Sequence, residues 1–220
     1  MPAAPQVRIL KEVDEGVGAD ALNTLARGAV AGAVMCMEER EVLSSAMGND
    51  APLAALQEPE ALVEALRSAA AAGLMAPLKA LLGRSEEVAV DAKSNSCSTA
   101  LIFAASGGHV AVIAALLAAG AEVEAKDNNG ATALFGAALG GHAAAIAALL
   151  AAGAEVEAKD NDGKTVLMAA ANGGHATAIA ALVAAGAEVD AKRNDGVTAL
   201  TLAELFEHEH AARLLRGDAM

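Results

Sequence analysis

Residues 127–159 read DNNGATALFGAALGGHAAAIAALLAAGAEVEAK, and residues 160–192 repeat them as DNDGKTVLMAAANGGHATAIAALVAAGAEVDAK. Gly-Gly-His recurs at 107–109, 140–142 and 173–175, two equal intervals of 33 residues. Self-similarity at such a period marks a stack of like supersecondary units, because one unit alone cannot bury its apolar face. The same step carries Thr99 to Thr132, Thr165 and Thr198, Leu101 to Leu134, Leu167 and Leu200, and Gly120 to Gly153 and Gly186. His109, His142, His175 and His208 share one repeat position. Their recurrence follows from the repeat and requires no chemistry.

Within one unit, Thr132 opens a short helix through Leu139, its hydroxyl placed to cap free backbone N–H groups. Gly140-Gly141-His142 turns the chain, and Ala143 to Ala152 forms a second helix with Ile146, Leu149 and Leu150 as its i, i+3, i+4 apolar stripe. Gly153 ends that helix, since glycine takes a positive φ without a Cβ penalty. Ala154 to Gly163 then runs as an extended loop closed by a turn.

A period of 33 with Thr-x-Leu, Ala-Ala-x-x-Gly-His, Leu-Leu-x-x-Gly-Ala and Asp-x-x-Gly resembles the ankyrin repeat. That family stacks units of a β-turn and two antiparallel helices. The resemblance implies an all-α ankyrin-repeat solenoid over 58–216, with units at 94–126, 127–159 and 160–192 and a C-terminal capping unit at 193–216. A degenerate unit at 58–93 precedes them, its Ala69 to Leu74 mirroring Ala104 to His109 at an offset of 35. Residues 1–57 are expected to form a helical N-terminal cap, with a docking segment as the alternative. The units depart from the family's Thr-Pro-Leu-His: Thr99-Ala-Leu-Ile, Thr132-Ala-Leu-Phe, Thr165-Val-Leu-Met and Thr198-Ala-Leu-Thr lack both proline and histidine. They are expected to lean instead on packing of Ile102, Phe135 and Met168. Cys97 stands where the later units have Gly130, Gly163 and Gly196, which predicts a differently shaped first turn.

Composition narrows the function classes. Of 220 residues 61 are alanine and three are aromatic (Phe103, Phe135, Phe206), so stacking platforms for bases are missing. With 15 basic and 28 acidic side chains the net charge is −13, which argues against a nucleic-acid groove or an anionic membrane surface. Cys36 and Cys97 lie too far apart in sequence for a CxxC pair, and free thiols point to the cytoplasm or another reducing intracellular compartment. The N-terminal residues lack the layout of a secretory signal. Ala131 to Ala154 is 24 residues without a formal charge, but Gly140, Gly141 and His142 at its middle suit a turn between two helices better than a membrane span.

No residue set carries catalysis. Gly163-Lys164-Thr165 lacks the upstream glycine of a phosphate loop, Ala158 standing there. Asp160-Asn161-Asp162-Gly163 opens like a calcium loop, yet its far end has Ala171 where a bidentate glutamate is needed. His208-Glu209-His210 offers too few ligands for a metal, and Cys36 between Met35 and Met37 reads as a small core residue. No enzyme activity, cofactor or metal is therefore expected. The recurring acids Glu122 and Glu124, Glu155 and Glu157, and Glu188 and Asp190, beside Lys126, Lys159 and Lys192, read as a solvated and partly self-neutralised loop edge, with a docking strip for a basic partner as the alternative.

The resemblance implies a protein-binding module that grips a partner with its turn tips and first helices. Carried over position by position, the tips are Asn95, Ser96 and Ser98; Asn128, Asn129 and Ala131; Asn161, Asp162 and Lys164; and Asn194, Asp195 and Val197. The first-helix positions are Ser106, Gly107, Leu139, Gly140, Asn172, Gly173, Leu205 and Phe206. Interface hot spots favour Trp, Tyr and Arg, none of which is in this set. The alternative is a permanently incorporated subunit of a larger assembly, docked by the charge-poor second-helix face (Ala143, Ala144, Ala147, Ala148, Ala151, Ala176, Ala180, Ala181, Ala184) and residues 1–57.

Overall fold

A computed structural model describes residues 59–84 and 88–217. The expected N-terminal cap over 1–57, with Cys36, lies outside them, as do Glu86 and Glu87. Helices α1 (Pro59–Ala72) and α2 (Met75–Leu82) form the first pair, followed by α3 (Ala100–Ser106) and α4 (Val110–Ala118). Then come α5 (Ala133–Leu139) with α6 (Ala143–Ala151), α7 (Val166–Asn172) with α8 (Ala176–Ala184), and α9 (Ala199–Leu205) with α10 (Glu209–Arg216). Among the described residues there is no strand, only an isolated bridge between Lys159 and Thr165. First helices pack on first helices in chain order, and second helices on second helices. The fold is thus the all-α stack that the repeat implied.

Each first helix starts as its threonine dictates. The hydroxyl oxygens of Thr99, Thr132, Thr165 and Thr198 accept from the N–H of Ile102, Phe135, Met168 and Thr201 at 3.2–3.4 Å. Ile102, Phe135 and Met168 are buried as expected, and only Thr201 faces water. In α1 the equivalent places hold Glu64 and Arg67, which form an ion pair. The core is a ladder of a few large side chains per unit (Leu134, Ile146 and Leu149; Leu167, Ile179 and Leu182), each at most 1% exposed, with alanine filling the rest. The uncharged run 131–154 is split into α5 and α6, and no helix among the described residues is long and apolar enough to cross a membrane.

The recurring histidines join the units. Each Nε2 donates to a carbonyl at the end of the preceding first helix: His109 to Ala71, His142 to Ser106, His175 to Leu139 and His208 to Asn172, at 2.9–3.1 Å. Their recurrence is structural. The second glycine of each Gly-Gly-His provides the seat, because a Cβ on Gly141 would stand 2.5 Å from the His175 ring.

The first turn corrects one expectation. Cys97 adopts φ 58, the left-handed conformation of Gly130, Gly163 and Gly196, so the turn keeps its shape. The Cys97 N–H donates to Ser94 O at 2.8 Å, as that of Gly130 does to Asp127 O at 3.0 Å. Two backbone bonds per turn, together with the stacked neighbour, override a strain of roughly 1–2 kcal/mol for a non-glycine residue.

Gly136 lies inside α5 with an ordinary helical backbone, and a Cβ there would be crowded only by the Ser106 hydroxyl at 2.5 Å, the tip of an exposed side chain, its other neighbours standing at 3.7 Å. Gly136→Ala is expected to raise stability by about 0.5–1 kcal/mol through the unfolded state. A urea unfolding midpoint that falls instead would mean that Ser106 cannot turn aside.

Candidate partner-binding surface

Each tip is built around one acceptor. The Asp127 carboxylate takes the N–H of Asn129 (2.8 Å) and Ala131 (2.9 Å), and Asp160 takes those of Asp162 (3.0 Å) and Lys164 (2.8 Å). In the first unit the Ser94 hydroxyl holds Ser98 N–H at 3.1 Å. The last unit has Arg193 at that place. There Asp195 accepts from Val197 N–H at 3.2 Å and pairs with Arg193, whose hydrogen bond holds its carboxyl at about 2, below the usual carboxylate range.

The tips lie side by side along one edge, tied by their backbones. Asn128 N–H donates to Ser96 O and Asn161 N–H to Asn129 O, both at 2.9 Å. The side-chain amides of Asn128 and Asn161 also reach back, to Asn95 O (3.2 Å) and Asn128 O (3.0 Å). Asn194 leans the same way, its Oδ1 lying 2.4 Å from where a Cβ on Gly163 would stand. Asn128 and Asn161 hold the edge together, a role that sequence reading missed. Asn129 and Asp162 are exposed and make no side-chain hydrogen bond to a neighbouring unit among the described residues, and Asp195, also exposed, is engaged within its own tip by Arg193 and Val197.

Ala131, Lys164 and Val197 sit half-buried at the base of the tips. The Lys164 ammonium lies 5.9 Å from the centre of the Phe135 ring, and burial lowers its pKa against the opposing pull of Asp160. At the far ends of the first helices come Leu139 (46% exposed), half-buried Asn172, Leu205 (70%) and Phe206 (50%). The structure therefore gathers the named residues into two rows on the first-helix side: a polar row of tips and a partly apolar row of helix ends. Beyond Leu205, Glu207 and Glu209 are acidic and exposed.

The loop edge behind the second helices differs from its expected role. One carboxylate at each joint is a clip: Asp91 accepts from Glu122 N–H (2.9 Å), Glu124 from Glu155 N–H (3.0 Å) and Glu157 from Glu188 N–H (2.8 Å). Lys126, Lys159 and Lys192 are exposed and make no ion pair with these acids among the described residues. Self-neutralisation is thus replaced by hydrogen bonds from each unit to the next, a connection at an offset of 31 that the repeat period does not reveal. His208 is held by Asn172, and among the described residues no three His, Cys, Asp or Glu side chains converge.

A family profile described as ankyrin repeats (3 copies) matches residues 66–160 and again 153–219. No curated protein matches the chain.

Proposed function

The chain belongs to the ankyrin-repeat family, whose members generally mediate protein–protein interaction, and from that premise we propose that it is a non-enzymatic module binding a protein partner through its turn tips and first helices. The observation that carries this reading is the row of exposed large apolar side chains at the first-helix ends: Leu139, Leu205 and Phe206. A chain that spends alanine freely leaves these in water, where exposed apolar side chains mark contact surfaces. Asn129, Asp162 and Asp195 supply polar contacts alongside. The family link for this role is fold analogy, so the named residues are what must be tested.

A second reading has its own observation. Val110 and Val183 are 37% and 40% exposed on the second helices, among exposed Ala144, Ala147, Ala151, Ala180 and Ala184, a face suited to permanent packing in a larger assembly. Cross-linking mass spectrometry on tagged protein recovered from native extract separates the two. The binding module gives links to one partner from Lys164 at the base of the tips, lost in L139S/D162A/N172A, which alters the turn-side face and leaves Leu205 and Phe206 in place. Links that survive this variant in full, with a partner held at fixed stoichiometry through high salt, favour the built-in subunit.

A further inference from the structure

Leu205 and Phe206 close the last first helix and the fold does not cover them. One of only three aromatic rings in the chain stands half in water, at the position that earlier units give to Gly107, Gly140 and Gly173. The ring is not loose. It stacks on His208 with centroids 6.3 Å apart and planes at 30°, and His208 is anchored to Asn172 O at 3.1 Å.

A further repeat in register is not what covers this patch. In earlier units the ring of the next histidine sits against Gly108, Gly141 and Gly174, where a Cβ would be 2.5 to 2.6 Å from it. The last unit has Glu207 at that place, with φ 58, and its side chain closes the seat. The apolar pair is therefore left for an occupant of another kind.

Charge indicates which. Glu204 and Glu207 flank the pair and Glu209 follows, all exposed. Glu204 is paired with Arg216, and Glu209 lies 3.7 Å from Arg213. Glu207 makes no hydrogen bond or ion pair through its carboxylate among the described residues. An apolar pair with an unpaired carboxylate at its rim, in a chain of net charge −13, complements an apolar side chain next to a cation.

We propose that the Leu205–Phe206 patch, with Glu207 at its rim, anchors a basic peptide segment carrying a large apolar residue beside a lysine or arginine. This rests on the reading that the turn-side face is the binding face, and it adds the chemistry of the partner and the end of the stack where its anchor sits.

The test titrates three short synthetic peptides, Leu/Lys, Ser/Lys and Leu/Glu, into 15N-labelled protein near physiological salt and follows backbone amide shifts. The Leu/Lys peptide is expected to move the amides of residues 204–209, and the other two to bind about tenfold more weakly or worse. L205S/F206S is expected to lower Leu/Lys affinity about tenfold, and E207Q about threefold with a flatter salt dependence. All three positions are exposed, so circular dichroism should be unchanged. The proposal is overturned if the Leu/Lys peptide does not bind, if its shifts gather on the Glu122, Glu155 and Glu188 edge, or if L205S/F206S binds it undiminished. Its failure is distinct from that of the turn-side reading. Partner cross-links lost in L139S/D162A/N172A, with peptide binding indifferent to L205S/F206S, sink the patch alone; cross-links that survive L139S/D162A/N172A sink the turn-side reading and, with it, the patch as part of that face.

Discussion

Replacing Gly141 by alanine is expected to destabilise the protein by about 3 kcal/mol, while the same change at Gly153 costs about half as much. Both glycines hold left-handed backbones, φ +74 and +93, so each pays the strain of roughly 1–2 kcal/mol that a Cβ brings there. They differ in what the Cβ meets. At Gly153 nothing lies within 4 Å, whereas at Gly141 the His175 ring is 2.5 Å away. That ring must move, and moving it breaks the bond from His175 Nε2 to Leu139 O, worth about 1 kcal/mol net and more if the carbonyl stays dry. Glu207→Gly should do the reverse and stabilise the last unit by several tenths of a kcal/mol, since it relieves strain with no ring to disturb. Denaturant midpoints at equal slope decide this: equal losses at 141 and 153 would show that the ring contact contributes nothing.

The comparison shows why part of this chain was legible and part was not. Period, helix pairs, threonine caps and glycine stops were readable because each rests on one residue recurring at one spacing. Thr132 caps its own helix and Gly153 ends its own helix, so both roles are local. The joints between units were not readable, because their partners lie 31, 33 or 36–38 positions apart and neither residue's type says which neighbour it faces. Glu157 holding Glu188 N–H, Asn161 holding Asn128 O and His175 holding Leu139 O are such pairs. A glutamate or asparagine on an exposed edge gives no sign in sequence of which way it faces. Cys97 was misread for a related reason: the glycine rule describes the cost of a positive φ, while the outcome depends on the bonds that enforce it. The candidate surface is legible to a similar degree. Tip positions follow from the turn motif, but that Asn128 and Asn161 are engaged within the stack, leaving Asn129 and Asp162 outward, required coordinates.

Leu149→Ala is expected to cost about 3 kcal/mol and to change how the protein unfolds as well as when. Leu149 is fully buried in α6, and its unit fills most of its core with alanine around Leu134, Phe135 and Ile146. Truncating one of so few large side chains removes much of the apolar contact that the unit offers its neighbours, and Leu→Ala changes in cores cost about 2–5 kcal/mol. In a stack each unit touches only the next, so stability is a sum of unit terms and nearest-neighbour terms. Weakening the central pair α5–α6 therefore uncouples α1–α4 from α7–α10, and hydrogen exchange should show the deepest loss of protection in α5 and α6 with two separable openings on either side. Leu215→Ala at the end of α10 should instead loosen chiefly α9 and α10, because among the described residues α10 packs mainly against α9 and α8. If Leu149→Ala lowers protection evenly from α1 to α10, the units are coupled beyond their neighbours and the joints made by histidine, asparagine and carboxylate are stiffer than their individual bonds imply. The same measurement bears on binding: a partner that spans several tips would restore protection across α5 and α6 in the variant, whereas one confined to the Leu205–Phe206 end would protect α9 and α10 alone.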